Sequence, residues 1–103
     1  MKNEKYALVS VSDKIGIADF CRALIEHNYT IISTGGTGKL LTSQHIPFIP
    51  IQDITGNPES FDGRMKTISF QIESGILFDR FKPSHRKEAK ELGIVPIDVV
   101  VCN

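Results

Sequence analysis

Apolar residues in this chain fall into short compact runs that alternate with stretches of helical spacing. Tyr6-Ala7-Leu8-Val9-Ser10 is such a run and predicts a strand, and Ser10-Val11-Ser12-Asp13-Lys14 supplies hydroxyl and carboxylate caps for a helix behind it. In that helix Ile17, Phe20, Cys21, Leu24 and Ile25 recur on one face, while Asp19, Arg22 and Glu26 point away. It ends near Asn28, a residue type that tolerates the left-handed backbone of a helix terminus. Residues 30–33 read as the next strand and 38–44 as the next helix. Residues 47–51 are extended, and their two prolines suit an edge or irregular strand. Residues 53–63 are polar, rich in turn formers and without periodicity, and a long structured loop of this kind is often functional. The spacing predicts a helix over 68–81 with Ile72, Ile76 and Leu77 inward, and another over 84–92 capped by Ser84 and ended by Gly93. Residues 97–102 are a β-branched run, as expected of a strand covered on both faces.

Strands that alternate with helices pair in parallel through right-handed crossovers, so the expected fold class is α/β, a three-layer sandwich around a mainly parallel sheet. Ligands of such sheets sit beyond the carboxyl ends of the strands. Three polar clusters fall at those ends, at 10–14, 33–37 and 64–67. The middle one, Ile31-Ile32-Ser33-Thr34-Gly35-Gly36-Thr37-Gly38-Lys39, runs from a strand through glycines into a helix. A helix start has unpaired backbone N–H groups and partial positive charge, so it suits an anion, and Ser33, Thr34 and Thr37 offer hydroxyl donors. The nucleotide-triphosphate pattern fails, because Ser33 stands where its first glycine belongs and Leu40 where its metal-binding hydroxyl belongs. The dinucleotide pattern fails at Leu41. A loop for a monophosphate remains, beside the plainer possibility that the glycines only turn the chain.

With 103 residues the chain is read as one domain, 1–103. Twelve basic residues balance twelve acidic ones, so no overall field draws it to nucleic acid or membrane, and any anion site is local. No apolar run approaches the length of a membrane span and no signal-peptide core follows Met1, so the expected location is cytoplasmic. Cys21 and Cys102 lie far apart, with no histidine at ligand spacing, and read as buried thiols rather than metal ligands. His27 and His45 fall near helix C-termini, where the dipole favours an imidazolium.

Five segments together resemble one family: Val9-Ser10-Val11-Ser12-Asp13-Lys14, Ser33-Thr34-Gly35-Gly36-Thr37, Asp53-Ile54-Thr55-Gly56-Asn57-Pro58-Glu59, Asp62-Gly63-Arg64-Met65-Lys66-Thr67, and Gly93-Ile94 with Pro96-Ile97-Asp98-Val99-Val100-Val101-Cys102-Asn103. They look like the N-terminal part of the inosine monophosphate cyclohydrolase domain of the bifunctional purine enzyme, whose fold is methylglyoxal-synthase-like. The resemblance implies dehydrative closure of the second purine ring of a formylated aminoimidazole carboxamide ribotide, with no metal or cofactor, on a purine nucleotide monophosphate as partner. It also implies a phosphate end held by Ser12, Lys14, Ser33, Thr34, Gly35, Gly36 and Thr37. Arg64, Lys66 and Thr67 would lie near the base, with Lys66 as the catalytic candidate that polarises or protonates the formyl oxygen. In the family the domain dimerises and is followed by a transformylase domain.

The chain departs from the pattern at Ile68-Ser69-Phe70-Gln71-Ile72-Glu73-Ser74-Gly75, where the family has Leu-His-Pro and then His-Gly-Gly. Glu73 is expected to bring negative charge near the anion site. Asn103 stands directly before the family's Leu-Tyr-Pro-Phe, so a C-terminal truncation is expected, with the late catalytic residues absent and activity of the isolated chain in doubt. Two other functions suit the same fold. One is a non-catalytic regulatory domain that senses a phosphorylated metabolite. The other is methylglyoxal synthase, for which Asp53 and Asp62 are the available carboxylates.

Overall fold

The computed structural model describes residues 5–61 and 66–103. Their element order is β1 (Lys5–Ser10), α1 (Ile17–Glu26), β2 (Tyr29–Ser33), α2 (Gly35–Ser43), β3 (Ile49–Pro50), α3 (Ile51–Thr55), α4 (Phe70–Leu77), α5 (Pro83–Leu92) and β4 (Ile97–Cys102). The strands form a parallel sheet in the order β3-β2-β1-β4. The expected three-layer α/β sandwich is present. Ala7, Val9 and Ile31 point to one face and pack against Ile17, Cys21 and Leu24 of α1 and Leu41 of α2. Tyr6, Leu8 and Ile32 point to the other and meet Ile51 of α3 and Ile72 of α4. The chain steps outward through β2 and β3, then returns to the far side of β1 for β4. That reversal is where open α/β sheets place ligands, beyond the carboxyl ends of the strands.

Several sequence expectations are corrected. The first helix is not capped by the hydroxyls and carboxylate of 10–14; its N-cap is Gly16 at φ 78°, with no side-chain cap. Asp13 instead accepts a hydrogen bond from Ile15 N within the preceding turn. Phe20 is 45% exposed although it shares the spacing of the buried face. The second helix begins at Gly35 rather than 38, because Thr34 serves as N-cap in extended conformation and Gly38 N already bonds to Thr34 O at 2.8 Å. Residues 51–55 are helical rather than loop. The next helix is shorter than 68–81, starts from Ser69, whose Oγ accepts from Ile72 N, and buries Ile72 but leaves both Ile76 and Leu77 exposed, Leu77 at 74%. Pro83 takes the first turn of α5, so Ser84 is not its cap, whereas Gly93 does end it, at φ 70°. Asn28 also adopts the positive φ expected of it.

The strand β4 is an edge strand among the described residues, and its residues alternate in burial instead of being covered on both faces. Cys21 is buried, and burial pushes its thiol pKa up. Cys102 is exposed, because it lies on the outward-facing side of that edge. The register of β4 against β1 shifts between Tyr6 and Ala7, leaving Asp98 as an extra residue. Its carboxylate meets Arg80, whose guanidinium also donates to the carbonyls of Gly75, Ile97 and Phe78 at 2.8, 2.8 and 2.9 Å and stacks on the Phe78 ring. One side chain thus ties α4, the turn after it and β4 together.

Gly75 lets α4 approach the chain before β4: a Cβ there would overlap Val95 O and stand 3.2 Å from the Ile97 side chain. Gly75→Ala is expected to lower the unfolding free energy by about 1–3 kcal/mol, as overpacking does. Helix propensity alone predicts a gain of ~1 kcal/mol. The sign of the change in a urea denaturation series decides which effect dominates.

Candidate functional site

Strands β1 and β2 lie side by side, with Val9 opposite Ser33, so the turns that follow them are neighbours. Thr37, in the first turn of α2, joins them. Its hydroxyl accepts from Val11 N at 3.1 Å and donates to Val11 O at 3.3 Å, and the residue is 1% exposed. Thr34 Oγ1 bonds to Ser10 Oγ at 3.0 Å. Two of the three polar clusters therefore meet at the carboxyl ends of the central strands.

The same bonds redefine what each residue can offer. Ser33, Thr34 and Thr37 are buried, and their hydroxyls are engaged inside the fold, that of Ser33 with Thr34 O. What the turn presents outward is backbone. Gly35 and Gly36 are exposed, and the first-turn amides of a helix have no intrahelical acceptor. Gly38 has another purpose: a Cβ there would stand 2.8 Å from the Phe48 ring, so the glycine admits an aromatic side chain that packs on the core.

Lys14 supplies a cation beside Gly36. Its ammonium lies 3.8 Å from where a Cβ on Gly36 would stand, and it donates to Val11 O at 2.9 Å and Ser12 O at 3.2 Å. Two carbonyls thus aim the ammonium without neutralising it. Ser12 is exposed, and its loop is clamped by Asn103, whose Oδ1 accepts from Ser12 N at 2.9 Å and whose Nδ2 donates to Asp13 O at 2.9 Å. The positive end of α2, the Lys14 ammonium and this clamped loop form an arrangement that attracts an anion.

Beside α2 a cleft of about 330 Å³ is lined by residues that include Ser33, Thr34, Gly35, Lys39, Gln52 and Glu59. Glu59 Oε2 accepts from Gly35 N at 2.6 Å, so a carboxylate of the chain itself stands at the helix start. Thr55 and Asn57 bond to each other ahead of it and fix the turn that delivers it. Lys66 is exposed and lines a second cavity, of about 260 Å³, with Thr55, Asn57, Pro58, Ser60, Phe61 and Ile68. The segment 57–60 therefore runs between the cavities, with Glu59 at the first and Asn57, Pro58 and Ser60 at the second. Thr67 is half-buried. Arg64 and Asp62 lie outside the described residues. Glu73 is not at the α2 cleft; it lines an apolar groove between α4 and α5 with Phe70, Leu77 and Leu92, because its helix packs on the opposite face of the sheet from α2.

Sequence reasoning assigned no role to Glu59 or Asn103. Each acts across a large separation, 24 residues for Glu59 to Gly35 and 91 for Asn103 to Ser12, beyond any local pattern. The available signals for Glu59 are its place in the polar stretch without periodicity and at the end of the segment 53–59 that carries part of the resemblance.

Comparison with known proteins agrees with the fold. Residues 16–103 match the family model of the MGS-like domain. The bifunctional purine biosynthesis protein PurH of Lactiplantibacillus plantarum is 48% identical over 99 residues, covering 96% of this chain and 19% of the relative. PurH of Magnetococcus marinus is 44% identical over 103 residues, covering 100% of this chain and 19% of the relative. The chain thus spans about a fifth of the length of these curated relatives. The crystal structure of ForH superposes with a TM-score of 0.85 at 33% identity, covering 98% of this chain and 53% of that one.

Thr37→Val keeps the shape of the side chain and removes the bond to a buried backbone N–H, so it is expected to cost about 1–3 kcal/mol of stability. Thr37→Ser, which keeps the hydroxyl, is expected to lose less, and chemical denaturation of the pair measures the difference.

Proposed function

The chain belongs to the MGS-like domain family, and from that premise we propose that it serves purine nucleotide biosynthesis in the cytoplasm as the N-terminal portion of an inosine monophosphate cyclohydrolase. The observation that carries the reading is the approach of the Lys14 ammonium to Gly36, in the first turn of α2, at the carboxyl ends of β1 and β2. Similarity to the PurH proteins along nearly the whole chain supports it.

In this reading the 5′-phosphate of a purine nucleotide takes the start of α2. The backbone N–H groups of Gly35 and Gly36 donate to its oxygens and Lys14 balances its charge, while Ser33, Thr34 and Thr37 hold the turn in shape from within. The reaction asks for alignment of two ring substituents and management of one oxygen. The carboxamide nitrogen forms a C–N bond to the formyl carbon and gives up one proton as the formyl oxygen takes one up to become a hydroxyl; that hydroxyl then leaves as water with a second proton, while the formylated nitrogen releases its own proton and the C=N bond forms. Lys66, at the rim of the neighbouring cavity, is the donor to that oxygen, with Thr67 and Arg64 beside the base. Ser12 reaches the phosphate from the loop that Asn103 clamps. A homodimer carrying a transformylase domain is the setting in which turnover is completed.

A second reading is favoured by the exposure of the catalytic candidate Lys66: a domain that binds a phosphorylated nucleotide and signals its presence without converting it. Both readings require the anion site. Methylglyoxal synthase is the third, and Asp53, its described carboxylate, is exposed on α3.

Calorimetric titration with inosine monophosphate is expected to show saturable binding that excess inorganic phosphate weakens. Lys14→Met should raise the dissociation constant roughly tenfold or more, as loss of a charge-assisted contact does. Absence of binding by the folded wild-type chain, or an unchanged constant in Lys14→Met, contradicts the reading. Lys66→Ala separates the first two functions: it abolishes ring closure in a catalytic domain and leaves ligand-dependent signalling intact in a sensor.

A further inference from the structure

The carboxylate of Glu59 stands where the nucleotide reading puts a phosphate. Its 2.6 Å bond from Gly35 N is short, as expected of an ionised acceptor on a backbone amide. It also lies 3.1 Å from the point where a Cβ on Gly35 would stand, so it closes over the first residue of the helix. Helix α2 is nine residues long, and its amino end attracts carboxylate and phosphate for the same reasons: unpaired N–H donors and a positive dipole end. The Gly35 amide satisfies one such anion at a time.

Glu59 also reaches this position by a short, anchored route. Helix α3 packs against the sheet through Ile51, which is 1% exposed, and the turn at its end is held by Asn57 N donating to Thr55 Oγ1 at 3.0 Å. The carboxylate is therefore presented to Gly35 as an intramolecular partner, at an effective concentration that a free anion must overcome.

We propose that Glu59 is an internal competitor of the phosphate: it occupies the start of α2 when no ligand is bound and is displaced when the nucleotide arrives. The proposal rests on the nucleotide-monophosphate reading above. The competitor keeps the helix start paired when the site is empty. It also sets a threshold, since a ligand must offer Gly35 more than one carboxylate does, which a dianionic phosphate backed by Lys14 and by contacts to the rest of a nucleotide provides. Carboxylate metabolites, which offer the helix the same group that is already there, gain nothing by the exchange.

The test compares wild type with Glu59→Gln and Glu59→Ala by calorimetric titration with inosine monophosphate and with inorganic phosphate, and follows the Gly35 amide resonance of each protein. Both variants are expected to bind both anions roughly two- to fivefold more tightly than wild type, the size of a charge interaction at a helix end. The gain should be similar for the two anions, because the cost removed is that of displacing the carboxylate. In wild type, ligand should move the Gly35 amide resonance away from its Glu59-bonded position. Equal or weaker binding by both variants overturns the competitor and leaves the nucleotide reading in place. A Gly35 resonance indifferent to the substitutions overturns it whatever the affinities. No binding of either anion by any of the three proteins overturns the nucleotide reading and the competitor together.

Discussion

One buried hydroxyl holds two turns in register. Thr37 bonds to both the N–H and the C=O of Val11, so the loop after β1 and the start of α2 cannot move independently. Everything proposed for the site depends on that link: it sets where Lys14 emerges relative to Gly36, and it spends its own hydroxyl inside the fold so that the outward face of the turn is backbone N–H. A buried donor left without its partner costs more than the bond gains when made, which is why such a link specifies geometry strongly. The bond between Thr34 and Ser10 repeats the same device one residue before Val11 and three residues before Thr37.

The layer order and the parallel sheet follow from spacing and from the alternation of strands with helices, because apolar residues at period two and at helical period must be buried somewhere. Element ends are less legible, since tertiary contacts decide them. Residues 51–55 carry too short a pattern to be seen as a helix, yet Ile51 packs under the sheet and holds them. Leu77 has the spacing of a core residue but lies near the end of α4, beyond the reach of the sheet, and stays exposed. Glycines are the least legible of all: Gly35 lies under Glu59 and Gly36 beside Lys14, Gly38 makes room for Phe48 and Gly75 for Val95, and a sequence shows only that each lacks a side chain.

The site residues divide the same way. Membership of the MGS-like domain family follows from ordered motifs that the sequence displays, but the part each residue plays in the site rests on contacts between distant segments. Asn103 clamps a loop near the other end of the chain. Arg80 fastens α4 to β4 through the bulge at Asp98, on the side of the sheet away from α1 and α2, and so keeps the structural fastening separate from the polar end where ligand chemistry is proposed. Negative charge at the start of α2 comes from Glu59 rather than from Glu73, because the face on which a helix packs, not its place in the sequence, decides what its side chains meet.

The most direct test of the central claim, that backbone amides at the start of α2 and the Lys14 ammonium together hold a nucleotide's phosphate, is a crystal structure of the chain with inosine monophosphate. The account predicts phosphate oxygens within hydrogen-bond distance of Gly35 N and Gly36 N and of Lys14 Nζ, with Thr37 still bonded to Val11. A nucleotide bound with its phosphate elsewhere, or bound while Glu59 keeps the Gly35 amide, would contradict it.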